Sequence, residues 1–199
     1  MIILGLTGSI GMGKSTTARL FAEAGIPVHD ADQAVHNLYR GEAVATVSAA
    51  FPGAVKDGEV NRQELGRQLA QNPAQFKVLE AIVHPLVRQK EAEFLEHSRS
   101  AGYPLVLLDI PLLFESGAEG RVDKVAVVSC DPNIQRARVL ARPGMTVDKF
   151  ELILSRQTPD AEKRRRADYV IETGNGIEPA RQKVAEIIQA LSAKGHQDA

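Results

Sequence analysis

Residues 8–16, GSIGMGKST, place three glycines and a lysine directly behind the short apolar run Ile2–Leu6. Such a run is typical of a buried parallel strand. The sequence from Gly8 to Ser15 fits G-x-x-x-x-G-K-[ST], and apolar residues at helical spacing follow it. Glycines permit positive φ, so successive N–H groups can surround an anion at a helix N-terminus. The feature predicts a phosphate-binding loop between a strand and a helix, as in an α/β fold.

The lysine and the hydroxyl of this loop have separate predicted roles. Lys14 reaches the β- and γ-phosphates of a nucleotide, and the Ser15 hydroxyl ligates Mg²⁺. A turn that only caps a helix would explain the glycines but would leave Lys14 and Ser15 without a role. The sequence lacks an Asn/Thr-Lys-x-Asp guanine-reading motif, so we predict ATP and Mg²⁺ as cofactors. The predicted ATP-binding residues are Gly8, Gly11, Met12, Gly13, Lys14, Ser15 and Thr16.

The rest of the chain alternates short apolar runs with helical patterns. This alternation predicts βαβ units and a five-stranded parallel sheet flanked by helices. The stretch between the second and third strands is too long for a simple crossover, so we predict an inserted helical subdomain there, with breaks at 51–53, 56–58 and 84–85. The predicted strands are Ile2–Leu6, Ile26–Asp30, Leu105–Asp109, Lys124–Cys130 and Asp168–Ile171.

Composition narrows the classes of partner. Of the 199 residues, 44 % are hydrophobic, which is enough to form a full core. The formal net charge is −1, which favours neither a nucleic-acid coat nor a membrane-surface protein. The single cysteine, Cys130, excludes an intramolecular disulfide, and no apolar run approaches the length of a membrane span. We therefore expect a cytoplasmic protein with no nucleic-acid partner and no membrane association; its oligomeric state is not predicted.

Acidic residues follow two of the predicted strands. In open α/β sheets ligands gather at the carboxyl ends of strands, so Asp30 and Asp32 can face the bound phosphates. A carboxylate there can take the proton of an acceptor hydroxyl, whereas an Asp in this position also caps helices. The spacing leaves open which acid does which. Asp109 is either a Walker B acid acting through a Mg²⁺-bound water or a solvated acid at a strand end.

Two further segments are candidates for acceptor binding. The apolar loop Pro111, Leu112 and Leu113 follows the third strand and either packs against an apolar part of the acceptor or is tucked beneath helices. His84 precedes Pro85, which disfavours the α conformation for the residue before it, so His84 is expected at a helix end. It is either a substrate contact or a structural residue.

A basic segment near the C-terminal third is the candidate for a lid. Between Gln135 and Arg166 there are nine Lys and Arg residues against four Asp and Glu residues. Arg138 and Arg142 are four residues apart and share one helix face, where guanidinium groups can stabilise the charge of a transferring phosphoryl group. The run 163–166 is interpreted instead as a solvated helix face.

Together these motifs resemble the dephospho-CoA kinase family over nearly the whole chain. The shared stretches are LTGSIGMGKST at 6–16, VHDADQ at 28–33, HPLV at 84–87, DIPLLFE at 109–115, RVLAR at 138–142, SRQ at 155–157 and KRRRADYVIETG at 163–174. The chain departs from the family's usual Asp-Asn-Ser-Gly at 172–175, so the resemblance assigns no adenine contacts there.

The resemblance implies a P-loop kinase fold with a helical acceptor-binding insertion and a lid. It implies that Asp32 is the general base, that Arg138 and Arg142 act from the lid, and that dephospho-CoA binds between the insertion and the Pro111–Leu113 loop. One domain, 1–199, would then comprise a nucleotide-binding core (1–32, 101–135 and 167–199), a helical CoA subdomain (33–100) and a lid (136–166).

The function expected from this resemblance is ATP-dependent phosphorylation of the ribose 3′-hydroxyl of dephospho-CoA. The predicted catalytic residues are Lys14, Asp32, Arg138 and Arg142, and the predicted acceptor-binding residues are Asp32, His84, Pro111, Leu112 and Leu113. Two alternatives stay open at this stage: a nucleoside or nucleotide kinase of the same fold, and a P-loop ATPase that acts as a switch.

Overall fold

The structure is a computed structural model that describes residues 1–194. It divides into two compact units, one formed by residues 1–29 together with the residues from 98 onward, and the other by residues 30–97. The last five residues of the predicted 167–199 core segment lie outside the described residues. No helix within residues 1–194 has the length and apolar character needed to cross a membrane.

A five-stranded sheet forms the centre of the first unit. Its strands are β1 (Ile2–Thr7), β2 (Val28–Asp30), β5 (Leu105–Asp109), β6 (Lys124–Ser129) and β7 (Tyr169–Glu172), and two shorter strands, β3 and β4, belong to the second unit described below. The order of the five strands in the sheet is β2-β5-β1-β6-β7. Strand β1 pairs in parallel with β5 and β6, with Ile2 opposite Leu105 and Leu4 opposite Lys124, and β6 pairs in parallel with β7. The predicted α/β class and parallel sheet are confirmed.

Helices cover this sheet because the central strands are apolar on both faces. All five residues of β5 are buried, and the side chains of Leu4 and Leu6 in β1 are inaccessible to solvent. The core also takes in Phe21, Val184 and Ile187 from the covering helices. The helices of this unit are α1 (Lys14–Glu23), α6 (Pro132–Leu140), α7 (Val147–Ser155), α8 (Asp160–Arg166) and α9 (Ile177–Lys194).

The second unit, residues 30–97, is mainly helical. Its helices are α2 (Ala31–Leu38), α3 (Val44–Ala50), α4 (Arg62–Gln71) and α5 (Phe76–Ser100), of which the last runs past the unit's boundary. Strands β3 (Val55–Lys56) and β4 (Glu59–Val60) form an antiparallel hairpin that the helical pattern did not predict. The predicted break at Lys56-Asp57-Gly58 is its turn, in which Asp57 and Gly58 both have positive φ.

The predicted helix break at His84-Pro85 is wrong. Helix α5 runs without interruption through Pro85, so His84 lies in a helix interior rather than at a helix end. The restriction that proline imposes is outweighed by packing, because Leu79, Ile82 and Leu86 on both sides of the proline contact the apolar core of this unit.

Candidate active site

The glycine-rich loop leaves β1 and enters α1 with no space for side chains at its glycines. A Cβ on Gly8 would lie 2.3 Å from Cγ2 of Val128, and one on Gly11 would lie 2.4 Å from Cγ2 of Val139. Gly13 is the N-cap of α1 and has a φ of 91°, in the left-handed region that side chains disfavour. The sequence therefore folds here into a tight loop that joins a buried strand to a helix N-terminus.

The loop lysine is paired with an acid at the end of β5. Nζ of Lys14 lies 2.5 Å from Oδ1 of Asp109, and the two side chains are 15 % and 2 % exposed. The alternative in which Asp109 is a solvated strand-end acid is wrong, because β5 is central and its carboxyl end is covered. The geometry brings the predicted phosphate-binding lysine and the candidate Walker B carboxylate together.

A cleft of about 350 Å³ opens beside the loop. It brings together three of the residues that the sequence predicted for nucleotide binding, Gly11, Gly13 and Thr16, with the two lid arginines Arg138 and Arg142. Residues that follow β7 also line it. The lining residues are Gly11, Gly13, Thr16, Thr17, Leu20, Arg138, Arg142, Thr173, Gly176, Ile177 and Ala180.

The side chain of Met12 points away from this cleft. Met12 is 2 % exposed, its Sδ lies 3.4 Å from Sγ of Cys130, and its backbone N–H donates to the Ser9 carbonyl. Burial raises the pKa of the Cys130 thiol, and the nearby Arg138 only partly offsets this. Met12 thus anchors the loop to the core, and Cys130 is a packed, protonated thiol as its apolar surroundings predict.

The two lid arginines have different surroundings. Arg138 is held in place, since its Nη2 donates to the Thr173 carbonyl at 2.7 Å and its Nη1 to the Thr173 hydroxyl at 3.1 Å. Arg142 lies just beyond the end of α6 on the cleft wall and is exposed. Both arginines are exposed, and they differ in that the Arg138 guanidinium is hydrogen-bonded to Thr173.

A helix cap distinguishes Asp30 from Asp32. The Oδ1 atom of Asp30 accepts a hydrogen bond from the backbone N–H of Gln33, which makes Asp30 the N-cap of α2. Asp32 lies in the first turn of the same helix and is exposed. Of the two roles that the spacing allowed, capping falls to Asp30, and Asp32 stays a candidate for chemistry. Asp32 and His84 both belong to the unit 30–97.

The apolar loop after β5 is divided between core and surface. Leu113 is fully buried and Leu112 is 48 % exposed, while the Pro111 carbonyl accepts a hydrogen bond from the Thr7 hydroxyl. The side chain of Leu113 is therefore a core residue, which departs from its predicted contact with the acceptor. Pro111 and Leu112 are the accessible part of this loop.

A profile of the dephospho-CoA kinase family matches residues 2–178. The chain belongs to this family. The predicted resemblance is confirmed, and with it the prediction that the protein is a kinase, a phosphotransferase with an alcohol group as acceptor.

Individual relatives of this dephospho-CoA kinase family member are similar to it in sequence or structure over nearly its whole length. A dephospho-CoA kinase of Agrobacterium fabrum is 64 % identical, across 97 % of this chain and 100 % of the relative. A crystal structure from Thermus thermophilus matches with a TM-score of 0.83 and 37 % identity, across 95 % of this chain and 96 % of that one. The dephospho-CoA kinase of Campylobacter jejuni matches with a TM-score of 0.73 and 26 % identity, across 96 % and 98 %.

The kinase also holds its phosphate-binding loop through residues that the sequence did not single out. The backbone N–H of Ile10 donates to Oε1 of Gln157 at 3.0 Å, and the Ile10 carbonyl accepts from Nε2 of Gln135 at 2.7 Å. The two glutamines lie 125 and 147 positions along the chain from Ile10, so no local pattern could have identified these contacts.

One interpretation of the basic run is wrong. Lys163 is fully buried, and its Nζ pairs with Oε1 of Glu115 at 2.9 Å, although Arg165 is exposed as a solvated face predicts. Burial tends to raise the pKa of the Glu115 carboxyl, but Lys163 and the N–H of Thr158 outweigh it and hold that pKa below its usual value. Of the four consecutive basic residues 163–166, Lys163 thus faces inward because it pairs with Glu115.

Proposed function

We propose that this kinase transfers the γ-phosphoryl group of ATP to the ribose 3′-hydroxyl of dephospho-CoA, forming coenzyme A and ADP. The observation that carries this proposal is the family match over residues 2–178, in a chain whose glycine-rich loop contributes Gly11, Gly13 and the following Thr16 to a cleft of about 350 Å³. In the reaction the bond between the γ-phosphorus and the β-phosphate oxygen breaks, and a bond to the 3′-oxygen forms. The hydroxyl proton passes to a carboxylate.

Asp32 is the proposed proton acceptor. It is exposed, and its neighbour Asp30 already serves as the helix cap, so the Asp32 carboxylate is available to a ligand. A carboxylate that accepts the hydroxyl proton orients the attacking oxygen. It also prevents positive charge from building up on that oxygen during the attack. The family resemblance favours the same assignment.

Cationic groups of the first unit would stabilise the negative charge of the phosphates. Lys14 and the N–H groups of the loop would bind the β- and γ-phosphates, with Lys14 exchanging Asp109 for phosphate oxygens. Arg142, together with Arg138, would stabilise the negative charge that develops during transfer. Arg138 lies in α6 and Arg142 just beyond its end, and these two arginines are the basis for treating 136–166 as a lid.

The donor set at the loop fits Mg²⁺. Ser15 is exposed in the first turn of α1, and Asp109 supplies a carboxylate nearby, so both are hard oxygen ligands of the kind that Mg²⁺ prefers. Within residues 1–194 there is no group of three or more His, Cys, Asp or Glu side chains that could hold a metal. Ser15 would bind the ion directly and Asp109 through water, and the ion would neutralise phosphate charge.

The acceptor is proposed to contact the accessible part of the loop after β5. Leu112, which is 48 % exposed, and Pro111 offer apolar surface for the pantetheine portion of the substrate. His84 is exposed on α5, and a hydrogen bond to the substrate is the role that its position favours. The segment 33–100 is accordingly proposed as the CoA subdomain.

An acceptor panel tests the proposed function. Purified protein with Mg·ATP is offered dephospho-CoA, adenosine, AMP or no acceptor, and ADP release is measured. We expect turnover with dephospho-CoA and much lower kcat/KM with adenosine or AMP. Comparable kcat/KM with adenosine would favour the nucleoside kinase alternative, and full ADP release without an acceptor would favour the ATPase switch.

The site of phosphorylation needs a separate pair of substrates. Dephospho-CoA that lacks the ribose 3′-hydroxyl should not be phosphorylated, whereas the matched analogue that lacks the 2′-hydroxyl should be. Transfer to the 3′-deoxy analogue would contradict the proposed position of attack.

A further inference from the structure

The side chain of Thr173 contacts the phosphate-binding loop beside the cleft that it also lines. Thr173 directly follows strand β7 and is 8 % exposed. Its hydroxyl oxygen lies 2.7 Å from the carbonyl oxygen of Met12, a loop residue 161 positions away in the chain. The same oxygen lies 3.1 Å from Nη1 of Arg138. One hydroxyl group therefore connects the loop, the strand end and the arginine of α6.

The direction of each hydrogen bond follows from the chemistry of the partners. A guanidinium group only donates, so the Thr173 oxygen accepts from Arg138. The single hydroxyl hydrogen must then be donated to a carbonyl, either that of Met12 at 2.7 Å or that of Ser129 at 3.3 Å. The shorter distance assigns it to Met12. Arg138 is itself fixed by its second bond, from Nη2 to the Thr173 carbonyl.

This bond fixes the orientation of one peptide group in the loop. The peptide between Met12 and Gly13 is trans, so its carbonyl and its N–H point in opposite directions. With the Met12 carbonyl held toward Thr173, the N–H of Gly13 is turned away from Thr173. Gly13 has a φ of 91° and lies on the cleft.

The packing behind Gly13 keeps this arrangement rigid. A Cβ built on Gly13 would lie 3.1 Å from the Thr173 oxygen and 3.2 Å from its Cβ, so Thr173 already fills the space behind the loop. The backbone N–H of Thr173 donates to the Ser129 carbonyl at 2.8 Å, which ties the threonine to the sheet. The loop peptide cannot rotate without displacing a side chain that is anchored at three points.

We propose that Thr173 is a positioning residue for nucleotide binding, whose hydroxyl, oriented by Arg138, aims the Gly13 N–H at the nucleotide phosphates. The proposal rests on the proposed function only in taking the nucleotide to be ATP. Its effect falls on the nucleotide and not on the acceptor, because Thr173 contacts the phosphate-binding loop and the nucleotide cleft.

Two near-isosteric substitutions separate the hydroxyl from the shape of the side chain. Thr173→Val keeps the volume and removes the hydroxyl, which leaves the Met12 carbonyl without this donor, whereas Thr173→Ser keeps the hydroxyl. ADP binding is measured by titration calorimetry in the presence of MgCl₂, with no acceptor present. We expect Thr173→Val to weaken ADP binding about tenfold, the scale of one lost buried hydrogen bond, and Thr173→Ser to restore it. The KM for dephospho-CoA should stay unchanged in both variants.

Thr46→Val, the same chemical change at an exposed position of α3, is the matched control and should bind ADP like the parent protein. A thermal melt of each variant shows whether it is folded; should Thr173→Val fail to fold, Thr173→Cys, with its much weaker donor, replaces it and should also bind ADP weakly. Parent-like ADP binding by the hydroxyl-free variant would overturn the proposal, as would equal losses in Thr173→Val and Thr173→Ser.

A double-mutant cycle with Arg138→Met tests the link to the arginine. Because both residues act on one hydroxyl, their effects on ADP binding should not add, and additive losses would overturn the role given to Arg138. Since ADP binding needs no acceptor, these outcomes are independent of the acceptor panel. Failure to phosphorylate dephospho-CoA with a normal Thr173 result would count against the proposed function alone, and the reverse pattern against the role of Thr173 alone.

Discussion

At the residue scale, the two acids at the end of β2 show how one hydrogen bond distinguishes a helix cap from a candidate general base. Asp30 and Asp32 have the same charge and nearly the same position in the sequence, one as the N-cap of α2 and the other in its first turn. Only Asp30 accepts from the N–H of Gln33. Asparagine can make the same capping bond, so a change from Asp to Asn removes the charge at either position without removing the cap.

This difference gives the first prediction. Asp32→Asn should lower kcat by ~10²-fold or more, the scale of a lost general base, while ATP still binds. Asp30→Asn should have a much smaller effect on kcat because its cap persists. Steady-state ADP release with dephospho-CoA measures both, and a larger loss in Asp30→Asn than in Asp32→Asn would show that the assignment is reversed.

The second prediction concerns Arg142, an exposed arginine that lines the cleft. Arg142→Ala can cost ~10³-fold in kcat if the guanidinium stabilises the transferring phosphoryl group. Arg142→Lys should lose less but not recover fully, because an ammonium keeps the charge without the planar pair of donors.

Arg165→Ala is the matched control for the Arg142 variants, since the Arg165 side chain is 73 % exposed and pairs only with Glu162 on its own helix among the contacts described here. Its kcat should match that of the parent protein. If Arg165→Ala were inactive while Arg142→Ala behaved normally, the arginine that assists transfer would belong to α8.

The residues that sequence analysis identified are those whose role depends on near neighbours in the chain. The glycine spacing, Lys14 and the cap at Asp30 all lie within one strand-loop-helix unit or one helix turn. Thr173, Gln157 and the buried Lys163 instead depend on contacts across long separations, with no periodicity that marks them. Lys163 in particular follows the same local pattern as Arg165, and only the position of Glu115 in space distinguishes the two.

At the element scale, helix α5 is the clearest difference between local preference and structure. Proline lacks the N–H that would bond the carbonyl four residues earlier, and its ring crowds that carbonyl. Pro85 nevertheless lies in the interior of this 25-residue helix. The helix is held by apolar contacts with the core of residues 30–97, which the sequence pattern of short helices did not reveal.

The third prediction follows from this cost. Pro85→Ala should raise the free energy of unfolding by up to about 3 kcal/mol, since alanine restores the missing donor and relieves the crowding. Chemical denaturation followed by circular dichroism measures the change. Pro73→Ala is the control, because Pro73 begins a 3-10 turn where its missing N–H costs little. Equal effects of the two substitutions would contradict a cost specific to the helix interior.

At the scale of the whole molecule, the ion pair of Glu115 and Lys163 makes the free energy of unfolding depend on pH. The Glu115 pKa is lower in the folded protein than its ordinary value of 4.5, so the folded state favours the carboxylate. The stabilisation from this group is therefore present above pH 4.5 and is lost as the pH falls through the lower folded pKa.

The fourth prediction is a change in that acid dependence. The free energy of unfolding of the parent protein should fall as the pH is lowered from about 5 to 3, and Glu115→Gln should show a shallower fall because one titrating group is gone. At neutral pH the same variant should be less stable, since the Lys163 ammonium stays buried without its partner. An acid slope identical to that of the parent would show that Glu115 does not contribute.

The strand order has a consequence for how the chain acquires its structure. Strand β1, Ile2–Thr7, lies between β5 and β6, and Ile2 faces Leu105. Strand β5 is synthesised only about 5–20 s later at ordinary elongation rates of the ribosome, and β6 later still. The residues 30–97 in between have contacts that are closer in sequence, and such contacts form faster than distant ones. The strand that leads into the phosphate-binding loop therefore pairs with β5 only after residues 30–97, which separate the two strands in the sequence, have had time to collapse.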